Sequence, residues 1–323
     1  MKKAGRAAAE LCGAVIGAGF ASGREVASFF ARFGGWSWLG VAAAVVVLGG
    51  VCLLLMRHPG EGGMPLHWRG SWVACLWRGM FVSLMLATGG AMMAGGGEIA
   101  ALMLPMHGAR SIGLAGTLAL AWWLAGKENA GLATVSKGLI GCLLVVVLAG
   151  LFLPARETAS LHPAGNGWQS LAQGLCYGGF NAALAAPVIC LTGAELSPKE
   201  QRRCAAVFTV VLAVLLTCGN AVLLRHAALQ EARLPFVMLL SGWGRAGYVL
   251  GGAALYLAAL TTLVACLRGL RLLLPRHMGA VVAGVALLSL SGLEGMVGVV
   301  YPVLGGGCFL LLAAAWLQIG TKT

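Results

Sequence analysis

The segment Gly13-Ala14-Val15-Ile16-Gly17-Ala18-Gly19-Phe20-Ala21-Ser22-Gly23-Arg24-Glu25 sets four glycines and two adjacent charges inside an otherwise apolar stretch. A helix with that pattern is expected to break. Lipid offers no hydrogen bonds, so freed N–H and C=O groups at membrane depth must face protein, an ion or water, and the break is a candidate binding site. The N–H groups around Gly17, Ala18 and Gly19 are placed to hold a carboxylate, favoured by the dipole of the half-helix beyond them. A second glycine-interrupted segment, Tyr177-Gly178-Gly179-Phe180-Asn181, would face it with aromatic walls and a polar contact, the mixture that suits a small molecule. The expected solute is a small amino acid or similar zwitterion. Lys137, roughly 12 Å into its span at about 1.5 Å per residue, is either a functional intramembrane charge or a side chain snorkelling back to the interface. Arg24 and Glu25 point about 100° apart on a helix and need separate partners. One of them lines an outer gate, or both sit at the interface.

The elements that must hold these residues follow from composition. The 323 residues are 59% hydrophobic and 10% charged, with a mean hydropathy of +0.89, as expected of a polytopic helical membrane protein. The net charge of +12 is scattered singly between apolar segments and reads as topogenic, not as a nucleic-acid surface. At about 20 apolar residues per crossing, spans are expected near 7–31, 36–56, 72–97, 110–126, 129–153, 168–193, 204–224, 245–270, 278–291 and 295–317, with a short outer helix started by Pro235. Basic residues are more frequent on the connections that include Lys2, Lys3, Arg6, Arg57, Arg69, Lys199, Arg202 and Arg203 than on those holding Arg32, Arg110, Arg156, Arg225, Arg233 and Arg245. That bias predicts both termini in the cytoplasm. The charged start Met1-Lys2-Lys3-Ala4-Gly5-Arg6 is read as part of a retained span, not a cleaved leader.

Glu98 follows the third span and is expected at the outer surface; Glu10 and Glu195 lie near cytoplasmic ends. The ten cysteines form no Cys-x-x-Cys spacing and read as small core residues. The histidines show no ligand spacing, so no metal site is expected beyond a coupling ion. No span carries a paired acidic motif, a His/Glu metal motif or a Gly-x-Ser-x-Gly turn, which argues against an enzyme.

The first span resembles the opening helix of LeuT-fold transporters of the amino acid/polyamine/organocation superfamily, and the chain is more closely similar to YkvI-type bacterial membrane proteins. The likeness rests on Ile16 to Glu25 with Phe29-Phe30, on Tyr177 to Asn181, on Thr261-Thr262, and on Tyr301-Pro302-Val303-Leu304-Gly305. It implies an all-α integral membrane protein of about ten transmembrane helices, a 5+5 inverted repeat with broken first and sixth helices. One transporter domain would cover 1–323, its first repeat about 7–153 and its second about 168–317. It further implies a cation site in which carbonyls of Gly13 and Ile16 meet Ala258, Thr261 and Thr262, an oxygen cage suited to sodium. Thr261 and Thr262 bonding carbonyls of their own helix is the competing reading. In some proton-coupled relatives a lysine at the place of Lys137 takes over, so the coupling ion is Na+ or H+.

Gly17, Ala18, Gly19, Phe20, Tyr177, Gly178, Gly179, Phe180 and Asn181 are thus expected to form a substrate site. The chain is expected to be a cation-coupled secondary transporter of a small amino-acid-like solute in the bacterial cytoplasmic (inner) membrane, with no cofactor. Its alternative is a non-transporting receptor or scaffold that keeps the pocket.

Overall fold

A computed structural model of the chain describes residues 2–58, 72–104, 106–127, 138, 141, 145, 148, 150–153 and 163–320. Lys137 and most of the expected 129–153 span lie outside the described residues. All regular structure among the described residues is helical.

The first span is built from pieces, as the glycine pattern predicts. Helix α1 (Lys2–Val15) stops at Ile16 and Gly17, where Gly17 is extended at φ −89° and ψ −174°. A five-residue α2 (Ala18–Ser22) ends at Gly23, whose φ of 80° is left-handed and open mainly to glycine. Helix α3 (Arg24–Phe29) then runs into a 3₁₀ segment, Ala31–Trp36. From there the chain forms α4 (Ser37–Arg57), α5 (Trp72–Met103), α6 (Ala109–Ala125), α7 (Gly167–Ala194), α8 (Pro198–Arg225), the short α9 (Pro235–Leu240) and α10 (Gly244–Leu273). It ends with α11 (Met278–Ser289), α12 (Gly292–Gly295), a π-helical turn (Met296–Val300) and α13 (Tyr301–Gly320).

Local signals place the ends. Asn166 and Gln169 form a reciprocal capping box of two 3.0 Å bonds at the start of α7, and Ser197 with Glu200 does the same for α8, ahead of Pro198 in the first turn. Such boxes satisfy N–H groups that have no partner inside the helix. Pro235 starts α9 as expected.

Six helical stretches are long and apolar enough to cross a membrane: Ala31–Arg57, Trp72–Met103, Gly167–Ala194, Pro198–Arg225, Pro235–Leu273 and Gly292–Ala314. Three expected crossings fall short for visible reasons. The first is interrupted, α6 has 17 residues and α11 has 12. The chain is an all-α integral membrane protein.

One expectation is corrected. Helix α7 is continuous through 177–187, with Pro187 inside it, so the sixth span is not broken at its glycines. These glycines serve contact instead. A Cβ on Gly178 would lie 2.7 Å from Val47 Cβ of α4, and one on Gly179 would lie 2.7 Å from the Phe309 backbone nitrogen of α13. Gly174 sits against the Gly40 carbonyl, and Gly305 against the Cys176 carbonyl. Small residues let α4 and α13 approach α7 at backbone distance, which is how helices gain contact where lipid gives no hydrophobic drive. Pro187 inside the helix has no N–H for the Ala183 carbonyl.

Candidate functional site at the first-span break

The break frees groups where other helices meet. The Gly17 N–H donates to the Val15 carbonyl at 3.0 Å, not to Gly13 as an α-helix requires, so the Gly13 carbonyl loses its helical donor. Helix α10 comes up beside this point: a Cβ on Gly17 would lie 3.4 Å from Thr262 Oγ1. The first and eighth spans therefore meet at the break. The hydroxyls of Thr261 and Thr262 donate to the Ala258 carbonyl at 3.0 and 2.9 Å, the self-bonding arrangement. Gly13 and Ile16, a few residues before Gly17 in the first span, are half-buried.

Arg24 and Glu25 take separate partners. Arg24 points away from the break: its guanidinium donates to the Gln230 and Ala232 carbonyls at 3.1 and 3.2 Å and lies 3.2 Å from Glu294 of α12. It ties the first span to the loop before α9 and to the start of the chain's last span. Ser22 helps set this turn, donating to the Gly19 carbonyl at 2.7 Å and accepting the Arg24 N–H at 3.1 Å.

Glu25 turns inward. It is 5% exposed, and its carboxyl group folds over Gly19, occupying the volume a Cβ there would need. The Tyr177 hydroxyl of α7 donates to it. No cation among the described residues forms a salt bridge with Glu25. Glu25 thus fills the space over Gly19 where a solute carboxylate was expected, and the five-residue α2 adds little dipole. Ala18 is the first residue of α2.

Aromatic residues pack on Tyr177 and on one another near the break. Tyr177 stands edge-on to Phe29 and Phe30, with centroids at 5.2 and 5.0 Å. Phe180 stacks on Tyr301 at 4.3 Å, and Phe20 meets Phe236 of α9 at 6.5 Å. Asn181 is buried but donates to the Tyr177 carbonyl at 3.1 Å, which uses it to brace α7. Of the expected substrate set, the fold brings Gly17, Gly19, Phe20, Tyr177 and Phe180 to the break, while Gly178 and Gly179 face α4 and α13 as packing positions. Tyr301 and Thr88, both fully or nearly buried, complete the neighbourhood and were not singled out as site residues by sequence.

Two further features frame the site. Glu98 is not at the surface: it is buried within α5, 2.8 Å from Arg233 and 3.3 Å from Arg110. The third span continues past 97, and two arginines neutralise the carboxylate it carries inward. At the N-terminal end of α1, a cavity of about 480 Å³ opens between α1 and α7, lined by Lys3, Arg6, Glu10, Thr192 and Glu195 among others. Its walls carry both signs of charge. Among the described residues, no group of three or more His, Cys, Asp or Glu side chains is placed to hold a metal ion.

No protein-family profile matches the chain, and no curated protein matches it. Among solved structures the chain is similar to a mutant manganese transporter from Eremococcus coleocola, at 13% identity and a TM-score of 0.43, over 97% of this chain and 76% of that one. At that level of likeness, manganese is a property of that protein alone.

Proposed function

We propose that the chain is a cation-coupled secondary transporter of a small amino-acid-like solute, working by alternating access. The observation that carries this reading is the interrupted first span, with a buried carboxylate and an aromatic cluster at the break and α10 threonines beside it. A break at membrane depth is tolerated where it lines a site, and an intramembrane carboxylate marks function more often than structure. In this reading the two-signed cavity between α1 and α7 is where a zwitterion enters from one face.

In this reading the charge bias sets that face and both termini in the cytoplasm of a bacterial inner membrane. The two five-span sets, about 7–153 and 168–317, are inverted relative to each other but functionally unequal, since the break is in the first. Gly13, Ile16, Ala258, Thr261 and Thr262 hold the coupling cation, Na+ in the first instance. Lys137 is the candidate for proton coupling instead.

Counterflow in proteoliposomes, with a panel of amino acids, nucleobases and amines and with Na+ and pH varied independently, tests the proposal. Exchange of at least one solute is expected, with its Na+ dependence lost in the Thr261→Ala, Thr262→Ala double variant. Full ion-driven exchange by that variant removes the cation site. Saturable solute binding with no exchange favours the receptor reading.

A further inference from the structure

Glu25 lacks a cationic partner, and its neighbours have unused capacity to accept hydrogen bonds. A carboxylate taken out of water costs several kcal/mol unless a cation or a proton meets it. Arg24, the adjacent cation, is committed to Glu294 and two carbonyls. Two hydroxyl oxygens, Tyr301 Oη at the start of α13 and Thr88 Oγ1 of α5, are buried with no hydrogen-bond partner except, at most, each other. The two hydroxyls are neighbours, and Tyr301 is near enough to Glu25 to feel its charge. Orphaned buried polar atoms are rare and call for an explanation. Here two of them and one unpaired carboxylate come together from α3, α5 and α13.

Three acceptors match the three N–H donors of an ammonium group. A proton would satisfy Glu25 but leave both hydroxyls as they are. The rings of Phe29 and Phe30 packed on Tyr177, and of Phe180 stacked on Tyr301, add an aromatic, apolar wall. That environment favours an organic cation over a hard metal ion, which prefers an all-oxygen shell. We infer that Glu25, Thr88 and Tyr301 form the subsite for the ammonium group of an amine-bearing solute, with Tyr177 orienting the carboxylate. The inference rests on the transporter reading for its location and turns the expected polarity of the site around: the first-span break holds the amine end, and a solute carboxylate lies elsewhere.

Thermal unfolding of the purified full chain in detergent tests it without requiring flux. The probes are n-butylammonium, butyrate, NaCl and MnCl2 at matched ionic strength. Butylammonium is expected to raise the Tm saturably, and the other three to leave it unchanged. Glu25→Gln should fold and lose the response, while Thr88→Val and Tyr301→Phe should each weaken apparent affinity by about tenfold, one charge-assisted hydrogen bond's worth. The inference is overturned if Glu25→Gln keeps the butylammonium response, if Na+ or Mn2+ gives the saturable shift instead, or if no amine shifts the Tm. Counterflow of an anionic or neutral solute that is insensitive to Glu25→Gln would leave the transporter reading standing and remove this one. An amine response with no counterflow would do the reverse.

Discussion

Gly19 and Glu25 are matched residue to residue: the missing side chain of one is the space that the carboxyl of the other fills. Gly19→Ala should therefore expel Glu25 from its place beside Tyr177 without touching a backbone contact. Arg24 and Glu294 make a different kind of pair. Glu294 is 52% exposed, so a double-mutant cycle on unfolding should assign the pair roughly 1 kcal/mol or less; a larger coupling would mean a closed, dry gate. The need of these two neighbours for separate partners was legible, because adjacent helical residues diverge in direction. The partners were not. Thr88 sits singly in an apolar run and Tyr301 was read only as part of a likeness, not as a site residue; the packing of α5 and α13 gives them their place.

Elements tell a similar story with the opposite outcome at the two glycine-rich segments. In the first span, extended backbone at Gly17 and a left-handed Gly23 make a real break. In α7, glycines of the same abundance stay helical because α4 and α13 need the room. Composition cannot separate a glycine that bends its own helix from one that admits a neighbour; the difference is decided by tertiary contact. The second kind makes a prediction. Gly174→Ala should markedly lower the thermal stability of the purified protein, since its Cβ would overlap the Gly40 carbonyl, whereas Gly95→Ala, with nothing within 4 Å, should leave it unchanged or gain up to about 1 kcal/mol from helix propensity. Equal losses at both sites would contradict the close-packing role.

Helix α5 adds a charge test at this scale. Glu98 is buried while Arg110 and Arg233 keep side-chain exposures of 44% and 66%. The Arg110→Ala, Arg233→Ala double variant should strand the carboxylate and lose more Tm than Glu98→Gln, and adding Glu98→Gln to it should recover part of the loss. No recovery would show that the arginines act through packing. The sequence placed Glu98 outside because its span was ended at 97; helix α5 in fact continues to Met103, and an apolar-run rule stops at a charge that a buried pair can carry inward.

For the whole molecule, the class was the most legible feature, since long apolar stretches with scattered charge leave little but a helical membrane bundle. Orientation is a consequence that can be checked. Tags on the N- and C-termini should both be protected from protease added outside sealed right-side-out vesicles, and digestion of either would reverse the assigned faces. The central claim is that solute is held at the first-span break, beside Glu25, on its way across the membrane. Counterflow by wild type and Gly19→Ala, reconstituted at equal density and equal monodispersity, tests it most directly. Exchange by the wild type that falls to the level of empty liposomes in Gly19→Ala is the predicted result; exchange at the wild-type rate in Gly19→Ala would contradict it.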